Sequence, residues 1–375
     1  MYHSPTSFTP PLTPDCYHSA AVAERERVLV FQDAWHPVCL TTDVGEIGEF
    51  LTADVVGTPV VVRNFEGHPV ALSNVCTHRY NLLEPRTCGR SGRLKCGYHG
   101  WEFGCDGMTR RIPAAQNFPQ FDREAFRLNR YPLEQCGDLW FIRLSPTGPS
   151  LRDWMGDSFD LFQQLFSRPK FGVAAVRRVN YEANWKIPIE ISLESYHIPE
   201  VHPTTFGEDP GEPRSLHFFT DNGSSFHAKL AQPRLVDRWL RICERRVLSF
   251  LGVESLGQYQ HHHIYPNLLV SFTDSLSLVH HIMPTGPATS AAWIWQFARL
   301  PDKDGLLQRL TSAAWGRFTG YLTMKVLNED RVMYPPIQSG TAAAERSGIL
   351  GRCEERLYSF QKFVADRLAN VESAD

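Results

Sequence analysis

Four residues between positions 76 and 99 have the types needed to hold a pair of iron atoms. Cys76-x-His78 is followed, after seventeen residues (79 to 95), by Cys96-x-x-His99. Each half offers one thiolate and one imidazole. A [2Fe–2S] centre of the Rieske type takes two Cys on one iron and two His on the other. Two loops that each supply one of each can clamp such a cluster from both sides, and Gly97 and Gly100 allow close backbone approach. Imidazole in place of thiolate raises the reduction potential and suits onward electron transfer. A structural zinc site uses the same residue types. Zinc fingers usually pair the two Cys first, so the alternating order here favours the iron pair.

A second group lies in NWKIPIEISLESYHIPEVHPTTFG, which holds His197 and His202. On an unbroken helix residues five apart are roughly 140° apart and would not share a face. Pro199 stands between them, and a helix interior rejects proline. The helix must break after His197, which lets His202 swing back to the same point. Two imidazoles and one carboxylate make the facial triad of a non-haem Fe(II) site with open positions for O2. The carboxylate must come from a distant segment. Asp330 in VLNEDRVMYPPIQSG is the choice, with Glu329 the alternative, since helical neighbours point about 100° apart and only one can face a metal. Glu194 lies three before His197, on the same face of an expected helix, where a carboxylate can fix the imidazole tautomer.

Other residues of these types read more plainly. His261, His262 and His263 stand in an alternating strand, so all three cannot chelate together, and they read as strand surface and pocket lining. His280 and His281 read the same way. Cys88 and Cys105 match neither half-motif and read as packed or surface thiols; Cys16, Cys39, Cys136, Cys243 and Cys353 read as small buried apolar residues. Trp293, Trp295 and Phe297 alternate and share one strand face, with Tyr265 and Phe272 expected on a neighbouring strand. They form either a cage for a trimethylammonium group, at about 0.5–2 kcal/mol per cation–π contact, or core beneath a sheet. An apolar pocket for an aromatic ring is equally compatible.

These groups need elements to position them. The chain has 375 residues, 42% of them hydrophobic and 21% charged, enough to bury a large core. A net charge of −3 leaves no basic field, so neither nucleic acid nor an anionic membrane is expected as partner. No apolar run approaches the ~18 residues of a membrane span. The opening MYHSPTSFTPPLTPDC lacks the basic patch and apolar stretch of a secretory signal, and nine cysteines are an odd number; both lead us to expect a cytoplasmic protein without disulfides. Ala20–Phe31 has helical spacing. From 59 to about 144 short β-rich pieces alternate with turn residues. The Ser/Pro/Gly stretch 145–151 is a boundary. Strands are expected at VRRVNYEANW and around 215–231, 261–274, 276–284 and 290–299, and IPIEISLESYH as a short helix. Helices are expected at 303–331 and 342–370. This is an α+β chain: a small all-β cluster domain over 36–145, and a larger domain of antiparallel sheet and helices from 1–35 and 146–375.

Together the two groups resemble the α subunit of Rieske-type non-haem iron oxygenases, the ring-hydroxylating family. The resemblance extends over most of the chain, through FQDAWHPVC, CTHR, CGYHGWEF, GCDG, NWK, IYPNLLVS and NEDRVMYPPIQ. It implies a [2Fe–2S] cluster on Cys76, His78, Cys96 and His99, and Fe(II) on His197, His202 and Asp330. It implies a ring-shaped homotrimer, with or without a β subunit. In such a trimer Glu194 bridges His99 of one copy to His197 of the next. It further implies a flavin/iron–sulfur NAD(P)H-dependent reductase or a ferredoxin as electron donor, O2 as co-substrate, and a small organic substrate that is hydroxylated or dealkylated with one oxygen atom, or an aromatic ring converted to a phenol or, with two, to a cis-diol. Two positions depart from the common pattern. The bridge is Glu194 where ring-dihydroxylating members usually have Asp, and Glu is more often seen in members that oxidise quaternary ammonium compounds such as carnitine. Glu190 stands where many members have Asn.

Overall fold

A computed structural model describes residues 2–206, 208–229, 234–303 and 305–369. It divides into two compact units, Phe31–Trp154 and Met1–Val30 with Met155–Asp375.

The larger unit is built on one antiparallel sheet of seven strands: β1 Phe171–Tyr181, β2 Ser215–Thr220, β3 Gly223–Lys229, β4 Gln258–Ile264, β5 Leu268–Phe272, β6 Leu276–Gly286 and β7 Thr289–Arg299. Their spatial order is β1-β7-β6-β5-β4-β3-β2. Each of β2 to β7 therefore hydrogen-bonds to its sequence neighbour, and β1 joins beside β7. The expected strand at 215–231 is a hairpin, because Asp221-Asn222-Gly223 supplies a tight turn. Residues 230 and 231 lie outside the described residues. The expected strand at 261–274 is likewise two, β4 and β5, separated by Tyr265-Pro266-Asn267. The middle strands are buried on both faces, so LSLVHHIM in β6 reads as a continuous buried run rather than an alternation.

The helices that frame the site are α1 Lys186–Ser192, α2 Ile198–Val201, α3 Leu235–Leu251, α4 Leu306–Arg331, α5 Tyr334–Ala343 and α6 Glu355–Ala369. Sequence reading missed α3. The expected helix at 342–370 is mostly α6 alone, and its residue 370 lies outside the described residues. Residues Pro335 and Pro336 sit in the first turn of α5, where no amide donor is needed, so they start a helix rather than end one. Helix α4 packs on β7, with Gly316 allowing close approach to Ala298 and Gln296 Nε2 donating to Gly320 O at 3.0 Å.

The N-terminal helix Ala20–Glu26 continues into a wider turn at Arg27–Phe31. Its Glu26 is buried, accepts from Lys186 Nζ at 2.6 Å and from Trp185 Nε1 at 2.8 Å, and so ties this helix to the start of α1. Glu190 in α1 accepts from Tyr17 Oη at 2.5 Å and from Gln361 Nε2 at 3.0 Å. The unusual carboxyl at 190 therefore joins three separate segments of the unit.

The smaller unit is built of β-sheets, with a short helix at Leu151–Met155 where it ends. It holds a five-stranded sheet in the order Cys88–Arg90, Glu49–Val55, Thr58–Phe65, His68–Ser73, Arg130–Tyr131, and two three-stranded sheets. One of the latter, Leu94–Lys95, Glu102–Phe103 and Thr109–Arg111, frames the second Cys–His loop. Phe50, Leu72, Leu94, Trp101 and Phe103 form its core together with Cys76 and Cys96.

Candidate metal centres

The two Cys–His loops of the small unit are folded alike. Cys76 N–H donates to Asn81 O at 2.9 Å and its carbonyl accepts from Tyr80 N–H at 2.9 Å. Cys96 N–H donates to Trp101 O at 2.8 Å and its carbonyl accepts from Gly100 N–H at 3.0 Å. The residue four places after each Cys has positive φ, 60° at Tyr80 and 74° at Gly100. Glycine is relaxed there, and tyrosine is strained. Both thiols are buried, whereas His99 is exposed and His78 half-buried. The imidazole rings lie 4.7 Å apart, and His78 stacks flat on Trp101 at 4.8 Å. Burial, together with the neighbouring Cys96, pushes the Cys76 thiol up to about 11. Burial and the adjacent His99 hold His78 below its ordinary value. A metal would draw the Cys76 proton off, and a neutral His78 is already in the form that ligates one. Thiols on the inner side and imidazoles on the outer side suit a cluster with one ligand set per iron. Asn81 Nδ2 reaches Cys96 Sγ at 3.7 Å, a donor for a thiolate. Cys88 and Cys105 are exposed and stand apart from this group.

In the larger unit His197, His202 and Asp330 each offer a ligand atom within 4.8 Å of the others. The helical path is interrupted at residues 193–197, between α1 and α2, so the break expected after His197 lies before it. Glu194 and His197 therefore lie on a turn, not on one helix face, because Pro199 confines α2 to a single turn starting at Ile198. The pairing survives in a different form. His197 N–H donates to Glu194 Oε2 at 3.1 Å and its Nδ1 lies 2.5 Å from Glu194 Oε1. His202 Nδ1 lies 2.7 Å from Glu329 Oε2, whose other oxygen accepts from Thr205 Oγ1 at 2.7 Å. Both rings thus have Nδ1 held by a carboxylate and Nε2 turned to Asp330. The Asp330 Oδ1 atom is 2.9 Å from His202 Nε2 and 3.5 Å from His197 Nε2. It is buried, and neither contact has hydrogen-bond geometry. An orphaned carboxylate oxygen facing two fixed imidazoles is a donor set suited to a divalent iron.

The electrostatics agree. Burial alone would lower His197, but the nearby carboxylates of Asp330 and Glu194 outweigh it and raise its pKa to about 9. Against burial, the same imidazoles hold Asp330 below its usual value. A metal entering this site would have to compete with protons for the imidazoles. Of the two acidic neighbours on α4, Asp330 faces the imidazoles and Glu329 supports His202 from behind.

The triad borders a cavity of about 610 Å³. One face of the sheet forms its wall: directly paired residues share a face, and Phe226, His261, Ser271 and Leu278 are successive partners across β3 to β6. Gln296 continues that row on β7, so Trp295 and its neighbours Trp293 and Phe297 point the other way. Trp295 and Phe297 are buried there, with Phe297 stacked on Phe166 at 5.5 Å. The aromatic stripe is core, not a substrate cage. Tyr265 lies in the β4–β5 turn against Phe363, also away from the cavity, whereas Phe272 borders it. The cavity's aromatic wall includes residues that sequence reading did not single out, Phe206, Tyr259 and Trp315. The three consecutive histidines are buried rather than surface residues, and only His261 borders the cavity; His280 borders it and His281 does not.

Among the described residues no helix is long and apolar enough to cross a membrane, and all nine cysteines are free. Comparison with known proteins adds the following. The model of the ring hydroxylating alpha subunit (catalytic domain) matches residues 170–370, more than half of the chain, and that of the Rieske [2Fe-2S] domain matches residues 34–126. The chain is 29% identical over 212 residues to the glycine betaine monooxygenase oxygenase subunit of Chromohalobacter salexigens, covering 55% of this chain and 47% of that protein. The chain spans about half the length of these curated relatives. A solved quaternary ammonium Rieske monooxygenase shares the fold at a TM-score of 0.74 and 18% identity, over 96% of this chain and 95% of that one. Naphthalene 1,2-dioxygenase from Rhodococcus sp. shares it at 0.72 and 17%, over 95% and 94%. These two domains imply a Rieske [2Fe–2S] cluster and a mononuclear iron, which the donor sets above suit. The chain belongs to the ring-hydroxylating α-subunit family of Rieske-domain proteins.

Proposed function

We propose that this protein is the oxygenase component of an O2-dependent Rieske non-haem iron system acting on a small organic substrate. The observation that carries the reading is the convergence of His197 Nε2, His202 Nε2 and Asp330 Oδ1 beside a cavity of about 610 Å³. Cys76, His78, Cys96 and His99 would hold the cluster, within a domain over 36–145. His197, His202 and Asp330 would hold Fe(II), within a domain from 1–35 and 146–375. When bound, the two centres supply electrons and oxygen activation. The chain's own residues do the rest. Glu194 and Glu329 fix both imidazoles with Nε2 toward the metal. The apolar wall of Phe206, Phe226 and Leu278 excludes water from the reacting substrate. Glu194 is the residue through which His99 of a neighbouring copy would reach His197 in a homotrimer, with or without a β subunit.

A flavin/iron–sulfur NAD(P)H reductase or a ferredoxin would reduce the cluster, and nine free cysteines agree with a cytoplasmic setting. The substrate class we favour is a quaternary ammonium compound, hydroxylated or N-dealkylated, on the relation to the glycine betaine enzyme; the second reading is an aromatic ring, supported by the aromatic side chains on the cavity wall. The test has two parts. Anaerobically prepared protein should hold about two cluster irons with acid-labile sulfide plus a further iron. Oxygen uptake with a surrogate reductase, across betaines, carnitine and aromatic acids, should then respond to one class. Protein with no iron and no labile sulfide ends the reading.

A further inference from the structure

The wall of the cavity carries a buried cation that no acidic side chain among the described residues neutralises. Arg356, second residue of α6, is 1% exposed and borders the cavity. Its Nε donates to Ser224 Oγ at 3.1 Å, and its Nη2 reaches Ser224 O at 3.4 Å, His261 Nδ1 at 3.1 Å and His261 O at 3.4 Å. All of these partners are neutral, and Nη1 has no partner among the described residues. The other basic residues of the wall are accounted for: Arg234 pairs with Asp237, Arg241 with Glu244 and Lys325 with Glu329, while Lys229 is exposed. The adjacent Glu355 is committed elsewhere, its Oε1 to His217 Nδ1 at 2.7 Å and its Oε2 to the backbone N–H groups of His3 and Ser4.

A buried charge without a counter-ion is costly, and a guanidinium matches a carboxylate better than any other group. Burial lowers Arg356, yet only to about 10, so it stays charged at neutral pH. His261, far below its ordinary value through burial and through Arg356, is neutral and cannot compete for an anion's charge. The same wall runs toward the metal triad: Leu269 on β5 pairs with His280 on β6, which feels the charge of Asp330.

We propose that Arg356 is a specificity-determining residue and that it binds a carboxylate carried by the substrate, whose apolar part lies along the cavity. This rests on the oxygenase reading above and narrows its substrate to an acid, whether a betaine or an aromatic carboxylate. The unmatched guanidinium selects against analogues lacking the acid, and by anchoring one end it orients the other toward His197 and His202.

The experiment is equilibrium binding by calorimetry to the full chain loaded with cluster and iron, under nitrogen. The probes are benzoate against benzamide, and glycine betaine against choline. We expect at least one acid to bind about tenfold or more tighter than its uncharged or carboxylate-free counterpart. Arg356→Gln should lose that preference while Arg356→Lys keeps part of it. Equal affinity within both pairs, or no saturable binding by either acid, overturns the proposal, and so does Arg356→Gln with the wild-type preference. Should that variant fail to fold, the wild-type comparison decides alone. Iron and labile sulfide measured on the same sample report separately on the oxygenase reading, since binding requires no turnover.

Discussion

Glu194 grips His197 twice, through the backbone amide at 3.1 Å and through ring Nδ1 at 2.5 Å. The two residues lie in the break between α1 and α2, so the grip does not depend on helical spacing. It fixes the ring while leaving Nε2 free, and it keeps a carboxylate at the outer side of the metal site.

Glu194→Gln keeps the shape and removes the charge. We expect coupled oxygen consumption to fall by about tenfold or more and iron affinity to fall by roughly 10–100-fold, as for other carboxylates behind a metal-bound imidazole. The readouts are turnover with a surrogate reductase and iron content after dialysis against a chelator. Wild-type turnover in a fully loaded variant would remove the bridging role.

Asp330 and Glu329 should separate cleanly. Asp330→Ala should lose the mononuclear iron and keep the visible spectrum of the cluster. Glu329→Gln should retain iron with roughly 10–100-fold weaker affinity, because it loosens only His202 and Thr205. Metal analysis and absorbance on the same samples check both.

Glu190 should give the fold a pH dependence. Burial raises its pKa to about 7, against the lowering effect of Tyr17 and Gln361. The folded chain then binds more protons than the unfolded chain between the ordinary carboxyl value, about 4.5, and about 7, so stability contributed by this group falls as pH rises through that window. Melting curves of Glu190→Gln between pH 5 and 8 should be flatter than those of the wild type.

Lys186→Met should destabilise by about 3–5 kcal/mol, since it leaves Glu26 charged and buried without its partner. Replacing Glu26 by Gln in the same chain should recover part of the loss. Chemical denaturation measures both.

Gly316→Ala should act at a distance from the metal. A Cβ there would stand 2.4 Å from Ala298 Cβ, so α4 must shift from β7 at a cost of about 1–3 kcal/mol. Because α4 carries Asp330 in its last turn, iron retention should fall along with the melting temperature.

The types and spacing of the metal-binding candidates were legible in the chain itself because their requirements are local. Each Cys–His loop closes on its own backbone within five residues, and His197 and His202 flank the single helical turn Ile198–Val201, although the break expected after His197 lies before it. The β-rich and mixed halves of the chain were legible for the same reason, since turn residues mark short strands wherever they fall. What the linear order could not decide were relations between distant segments. The rotation of α4 chose Asp330 over Glu329, and no local pattern reports that angle. Two helices in place of one beyond residue 334 followed from prolines that start a helix as readily as they stop one. Strand alternation puts Trp293, Trp295 and Phe297 on one face, but which face meets the cavity depends on the register across four neighbouring strands. Arg356 carries no signal in its own neighbourhood. It stands out only after folding, when the wall's other buried cation, Arg241, has found Glu244 and no acid among the described residues faces this one, because charge compensation is a property of three-dimensional neighbours rather than of chain order.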